Sequence, residues 1–181
     1  TLHGLAHDIV RERPELVGLD SKFQIIDDRE ANAIRDEIAN AWLNAQPHAL
    51  DEFLDSEFDE GRRDWIRRDP LPKLVQNIAL SYIRTAKDMQ LTPDRLRKQL
   101  DELPLPLHLA EMGAAMYQDY QRALAYRGAV DFDDLIRLAL MALNNDDDLL
   151  ERLRGLWPVI LEDEAQDSSL LQEDILRLLA G

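Results

Sequence analysis

Apolar positions recur along this chain at spacings of three and four for most of its length, the period that gathers them on one stripe of an α-helix. "LHGLAHDIVRERPEL" opens with Leu2, Leu5, Ile9 and Val10 on one face. "REANAIRDEIANAWLNA" repeats the pattern with Ala33, Ile34, Ile38, Ala41 and Trp42 inward, and stops before Pro47. After the Pro-flanked break "DPLP" at 69–72, "KLVQNIALSYIRTAKDM" aligns Leu74, Ile78 and Tyr82. "LTPDRLRKQL" offers Thr92 as an N-cap with Pro93 in the first turn, a local start signal. "LPLP" at 103–106 ends that helix, and a long one follows from about Leu107 to Arg127, with Gly128 as its C-cap. Asp131 and Asp133 stand near the start of "VDFDDLIRLALMALNN", where carboxylates suit the open N–H groups and the helix dipole. Asp146 to Asp148 read as a polar turn.

Two stretches break this rhythm. "KFQIIDD" is a β-branched and aromatic run that predicts a strand near 22–26, with Asp27 and Asp28 capping the next helix. "VILEDEAQD" at 159–167 predicts a buried strand near 158–163 that empties into Glu162, Asp163 and Glu164, with Asp167 just beyond. A helix to Gly181 follows. Two strands do not make a self-sufficient parallel sheet. The pattern therefore predicts a mainly α chain carrying a remnant of one or two short strands. The opening on Thr1, without an initiator Met, predicts an excised piece. An unpaired edge at Val159 to Leu161 invites dimerisation by strand pairing, or an altered local structure.

Composition narrows the function classes. The chain has 181 residues, 45% of them hydrophobic and 31% charged, enough to bury a real core. No apolar run approaches the roughly 20 residues that cross a bilayer, and no signal peptide pattern opens the chain. There are no cysteines, which excludes disulfides, thiolate metal sites and a cysteine nucleophile and fits a cytoplasmic protein. Net charge is −15, from 36 acids against 21 Lys and Arg. Phosphate neutralisation supplies most nucleic-acid affinity, so the chain as a whole should repel DNA, and any DNA role needs a local surface.

The acids at the strand end carry the candidate chemistry. Ligands of open α/β sheets gather at the carboxyl ends of strands, and an apolar strand running into "DE" has the form of a Walker B motif. Asp163 can then hold Mg²⁺, a hard ion that takes one or two carboxylates and keeps several waters. Glu164 can orient and polarise an attacking water, and Gln166 can reach the γ-phosphate region. The competing reading is that these acids cap the helix starting near Ser168. His3 and His7 are four apart, but an isolated HxxxH is a weak metal signal. Between Asp51 and Asp64 seven acids face Arg62 and Arg63. Arg62, Arg63, Arg67 and Arg68 can form a small basic edge, with salt bridges to the nearby acids as the plainer expectation.

These segments together resemble one family. "LEDEAQDSSLLQEDILRLLAG" is similar to the motif II region of UvrD/PcrA/Rep-type superfamily 1 DNA helicases, with Asp163, Glu164, Gln166, Asp167, Ser168, Gln172 and Gly181 in register. "VDFDDLI" resembles the family's "LDFDDLL", and "YQDYQRALAYRGAVDF" the helix before it. "LSYIRTAKDMQLTPDRL" resembles the "I…K…LTP" stretch, "TLHGLAHDIVRE" the segment "TFHGLAHRILR", and "FQIIDD" the following "FxILD". Order and spacing agree along essentially the whole chain. The resemblance implies an internal fragment of an ATP-dependent DNA helicase that translocates on single-stranded DNA and unwinds duplex, usually 3′ to 5′. It implies a segment with the first strand at 1–25, a helical insertion subdomain at 26–127, and part of a RecA-like (P-loop NTPase) α/β domain at 128–181. It assigns Asp163 to Mg²⁺, Glu164 to catalysis as the base, Gln166 to linking nucleotide state with DNA grip, and Thr1 and His3 to the single-stranded DNA path. Thr and His can donate hydrogen bonds to phosphate without reading sequence.

Departures from the family limit what the chain is expected to do alone. The Walker A loop GxxxxGK[ST] occurs nowhere among its seven glycines, so ATP and Mg²⁺ binding need that further region. The isolated chain is expected to be inactive. Glu162 replaces a usually apolar residue and Ala165 a frequent aromatic. The acids at 51–64 put duplex contact by the insertion subdomain in doubt. A RecB/AddA-type helicase–nuclease is a variant of the same reading. The competing classes are a non-catalytic acidic helical adaptor derived from a helicase and a DNA mimic.

Overall fold

A computed structural model describes residues 1–163, 166 and 168–181, so the expectations for Glu164 and Asp167, and the Ala165 substitution, lie outside the described residues. The chain divides into two compact units: unit 1 is Thr1–Asp27, Lys87–Gln90 and Leu124–Gly181, and unit 2 is Asp28–Ala86 and Leu91–Ala123. The fold is mainly α, with two very short strands among the described residues.

Unit 2 draws on α2 (Asp28–Ala45), α3 (Glu60–Arg68), α4 (Pro70–Asp88), α5 (Pro93–Asp101) and α6 (His108–Arg127). Side-chain caps start two of them: Asp59 accepts from the Arg62 N–H at the head of α3, and Thr92 accepts from the Arg95 N–H at the head of α5 with Pro93 following. The core joins Ala39, Leu50, Leu71, Val75, Ala79, Met112 and Met116, with Ile38, Trp42, Ile66 and Ile78 packed against it. The buried stripe of α2 runs Ala31, Ile34, Arg35, Ile38, Ala39 and Trp42, whereas the predicted Ala33 and Ala41 are exposed. Leu74, also expected inward, is 54% exposed, because Leu71, Val75 and Ala79 define the face of α4 that packs. In each case a small or apolar residue one position off the stripe imitated the period.

A Cβ placed on buried Gly113 would stand 2.5 Å from the ring of Tyr82. Gly113→Ala gains about 1 kcal/mol of helix propensity but overpacks a ring contact, at a cost of about 1–3 kcal/mol. We expect a net loss in stability of up to about 2 kcal/mol, measured by thermal unfolding. A gain in stability would mean that Tyr82 yields freely.

Unit 1 is built around α7 (Phe132–Asn145), which buries Leu135, Ile136, Leu138, Ala139, Leu140, Ala142 and Leu143. A helix buried nearly all round needs neighbours on several sides. They are α1 (Leu2–Glu12), α8 (Asp147–Leu156) and α9 (Leu170–Ala180). α1 contributes Ala6, Ile9 and Val10, α8 Leu149 and Leu153, and α9 Leu171, Ile175 and Leu179. The turn expected at Asp146–Asp148 is tighter than its sequence implies: Asp146 ends α7 and caps α8 by accepting from the Leu149 N–H. Gly128 follows α6 with φ +60, a left-handed conformation suited to glycine.

The strand predicted near 22–26 is β1 (Gln24–Ile25), paired in parallel with β2 (Ala129–Val130) in the register Gln24–Ala129 and Ile25–Val130. Gln24 N–H donates to Gly128 O at 2.9 Å and Ile26 N–H to Val130 O at 3.0 Å. The strand predicted near 158–163 is absent: no strand is assigned there, and Val159 and Leu161 are 76% and 91% exposed. Ile160 and Trp157 still pack on the unit 1 core. A strand is defined by its ladder, and the ladder among the described residues joins β1 and β2 alone.

Candidate functional site

The acidic segment lies in sequence between Ile160, which packs on the unit 1 core, and the start of α9. Ser169 accepts from the Gln172 N–H at 3.4 Å, while the Gln172 side chain accepts from the Ser169 N–H at 3.0 Å, a reciprocal capping box. Helix α9 is thus capped by Ser169 and Gln172, and neither Glu162 nor Asp163 does that work. Glu162 instead accepts from the Ser168 hydroxyl. Asp163 is exposed in a bend and makes no hydrogen bond or ion pair among the described residues. Gln166 is exposed and has a partner. Asp163 and Gln166, three positions apart in sequence, are thus both exposed residues of unit 1. Asp163 is an uncommitted carboxylate with oxygen donors only, the type of ligand that suits a hard divalent cation.

The expected DNA-contact residues lie in the same unit. Thr1 caps α1: its hydroxyl oxygen accepts from the Gly4 N–H at 3.2 Å, and its O–H remains a donor. His3 is half-buried, with its ring edge-on to Phe132 at 5.4 Å between centroids and 76° between planes. His7 lies 3.5 Å from the Asp8 carboxylate. No group of three or more potential metal ligands of the His, Cys, Asp or Glu type comes together among the described residues.

Sequence reasoning missed the strongest polar feature of unit 1. Lys87 is fully buried, with Nζ 2.6 Å from Asp131 Oδ2 and 2.8 Å from Asp134 Oδ2. Asp131 caps α7 through its other oxygen, which accepts from the Asp134 N–H at 2.8 Å. Asp134 also accepts from Arg137 at 3.3 Å. A signal was present: Lys87 falls four residues after Ile83 on the buried stripe of α4, a position where a cation needs a buried acid. "DFDD" supplies two.

In unit 2, Arg62, Arg63 and Arg67 of α3 are engaged internally. Arg67 forks onto Asp51 (Nε to Oδ1 at 3.0 Å, Nη2 to Oδ2 at 2.6 Å) and also donates to Glu60 and Asp64 at 2.8 Å. Arg63 donates to the carbonyls of Phe58 and Ser56, and Arg62 lies over the Trp65 ring at 4.3 Å. The bidentate hydrogen bond from Arg67 holds the Asp51 carboxyl below its ordinary value, aided by His48. A lowered carboxylate stabilises the fold above its unfolded value and loses that contribution as pH falls through the folded one. Arg67→Met should therefore flatten the acid limb of a stability–pH profile below about pH 4. An unchanged limb would show the pair to be inert.

No helix among the described residues is long and apolar enough to cross a membrane. Residues 1–181 match the family model of the UvrD/REP helicase N-terminal domain. The chain is 24% identical over 181 residues to the ATP-dependent DNA helicase PcrA of Staphylococcus epidermidis. It is 26% identical over 182 residues to that of Staphylococcus aureus. Both alignments cover all of this chain and 21% of the relative, so the chain spans about a fifth of the length of the curated relatives it matches. With its whole length inside the model, from the TLH segment through the acidic loop, the chain belongs to the UvrD/REP helicase N-terminal domain family.

Proposed function

We propose that this chain is part of the motor of an ATP-dependent DNA helicase, contributing the acidic edge of the nucleotide site and one contact to single-stranded DNA. The observation that carries the reading is the family match along residues 1–181, with both motif-bearing ends in unit 1. Asp163 would hold Mg²⁺, Glu164 would accept the proton of the attacking water, and Gln166 would report nucleotide state. Bound Mg²⁺·ATP supplies the phosphoryl group and the charge that offsets its developing negative charge. Thr1 and His3 donate to phosphates of the single strand, and duplex DNA is engaged by the whole protein. Because no GxxxxGK[ST] occurs in the sequence, the residues present do not cradle a triphosphate, and the isolated chain turns over no ATP.

The test replaces the aligned segment of Staphylococcus aureus PcrA with this chain and measures ATP hydrolysis with and without single-stranded DNA. DNA-stimulated turnover by a folded chimera is expected. A folded chimera that binds DNA without turnover would favour a non-catalytic adaptor instead.

A further inference from the structure

We propose that Phe132 is a positioning residue that braces the His3 imidazole for the strand. Four observations in unit 1 carry this inference. Phe132 is the first residue of α7, so its backbone is fixed directly by the N-cap Asp131. Asp131 is itself held by the buried Lys87 ammonium at 2.6 Å. The Phe132 ring meets His3 in a T-shaped contact at 5.4 Å and 76°. Helix α1, which carries His3, packs along α7. An edge-to-face aromatic pair favours one interplanar geometry and is worth about 0.5–1.5 kcal/mol beyond area burial. A half-exposed imidazole would otherwise sample several ring orientations, so fixing its plane lowers the ordering cost of a hydrogen bond to phosphate. "DFDD" thereby acquires two tasks: its aspartates hold Lys87 and the helix start, and its phenylalanine sets the ring of His3, three residues before the buried Ala6 of α1. The purpose of the brace rests on the proposed strand contact of His3; the brace itself does not.

The experiment is side-chain NMR of His3 in the 181-residue chain, joined to titrations of fluorescent oligo-dT at low salt. The variants are Phe132→Leu, Phe132→Tyr, His3→Ala and the His3→Ala/Phe132→Leu double. Phe132→Leu keeps apolar bulk, and helix content by circular dichroism verifies folding. We expect Phe132→Leu to move the His3 ring resonances toward those of an exposed histidine and to increase ring mobility, and Phe132→Tyr to restore both. His48 and His108 serve as internal controls and should not move. Oligo-dT affinity should fall about tenfold or less in Phe132→Leu, as for one lost hydrogen bond, with no further loss on adding Phe132→Leu to His3→Ala. His3 resonances unmoved in folded Phe132→Leu overturn the brace. If the resonances move but His3→Ala leaves oligo-dT binding unchanged, the strand-contact reading fails and the brace stands.

Discussion

Lys87→Met is expected to destabilise unit 1 by about 3–5 kcal/mol, the usual cost of removing one member of a buried ion pair. The ammonium is fully buried, and the side chains of Asp131 and Asp134 are only 5% and 3% exposed. Methionine matches the lysine stem in bulk, so little of the loss comes from packing; it comes from two carboxylates left in a low-dielectric interior without their shared cation. Adding Asp131→Asn and Asp134→Asn should recover part of the loss at neutral pH. Amide hydrogen exchange of α7 under increasing urea reads this locally. An unchanged protection profile in Lys87→Met would show that the network contributes nothing to unit 1.

Glu164→Gln in the PcrA chimera is expected to lower the rate constant of ATP hydrolysis by about 10²- to 10⁴-fold, the range typical of a positioned general base. Nucleotide affinity should change only a few-fold, because the amide keeps the shape and loses only the basicity that matters when water attacks. Asp163→Ala should behave differently. Removing a metal carboxylate shifts the Mg²⁺ concentration needed for half-maximal rate upward, and added Mg²⁺ should recover part of the activity. If Glu164→Gln hydrolysed ATP at the parent rate, the base assignment would be wrong. If Asp163→Ala kept its Mg²⁺ dependence, the metal assignment would be wrong.

The helical character was legible because an apolar stripe repeats through α1, α2, α4, α6 and α7, and caps such as Thr92 and glycines such as Gly128 punctuate it. What escaped has physical causes. β2 is two residues long, too short for any period, and exists only through pairing with Gln24 and Ile25. Helix α8 was hidden because Asp147 and Asp148, read as a turn, belong to its first turn. "VIL" at 159–161 has strand propensity, but strand formation needs a hydrogen-bonding neighbour, and Val159 and Leu161 face solvent. Ala33, Ala41 and Leu74 show that a period alone can be out by one position. At the candidate site, Asp163 and Gln166 were legible as a motif, as were Thr1 and His3. The tie between His3 and Phe132 was not, since residues 129 positions apart meet only in three dimensions.

The proposed motor role requires the acidic segment to lie against a nucleotide-bound metal. Iron-directed backbone cleavage reads that directly: Fe²⁺ replaces Mg²⁺ in the chimera with a non-hydrolysable ATP analogue, and ascorbate with peroxide generates radicals at the metal. Cleavage within residues 162–166, dependent on the analogue and suppressed by Mg²⁺ and by Asp163→Ala, is the predicted result. Analogue-dependent cleavage that falls elsewhere and spares 162–166 would contradict it.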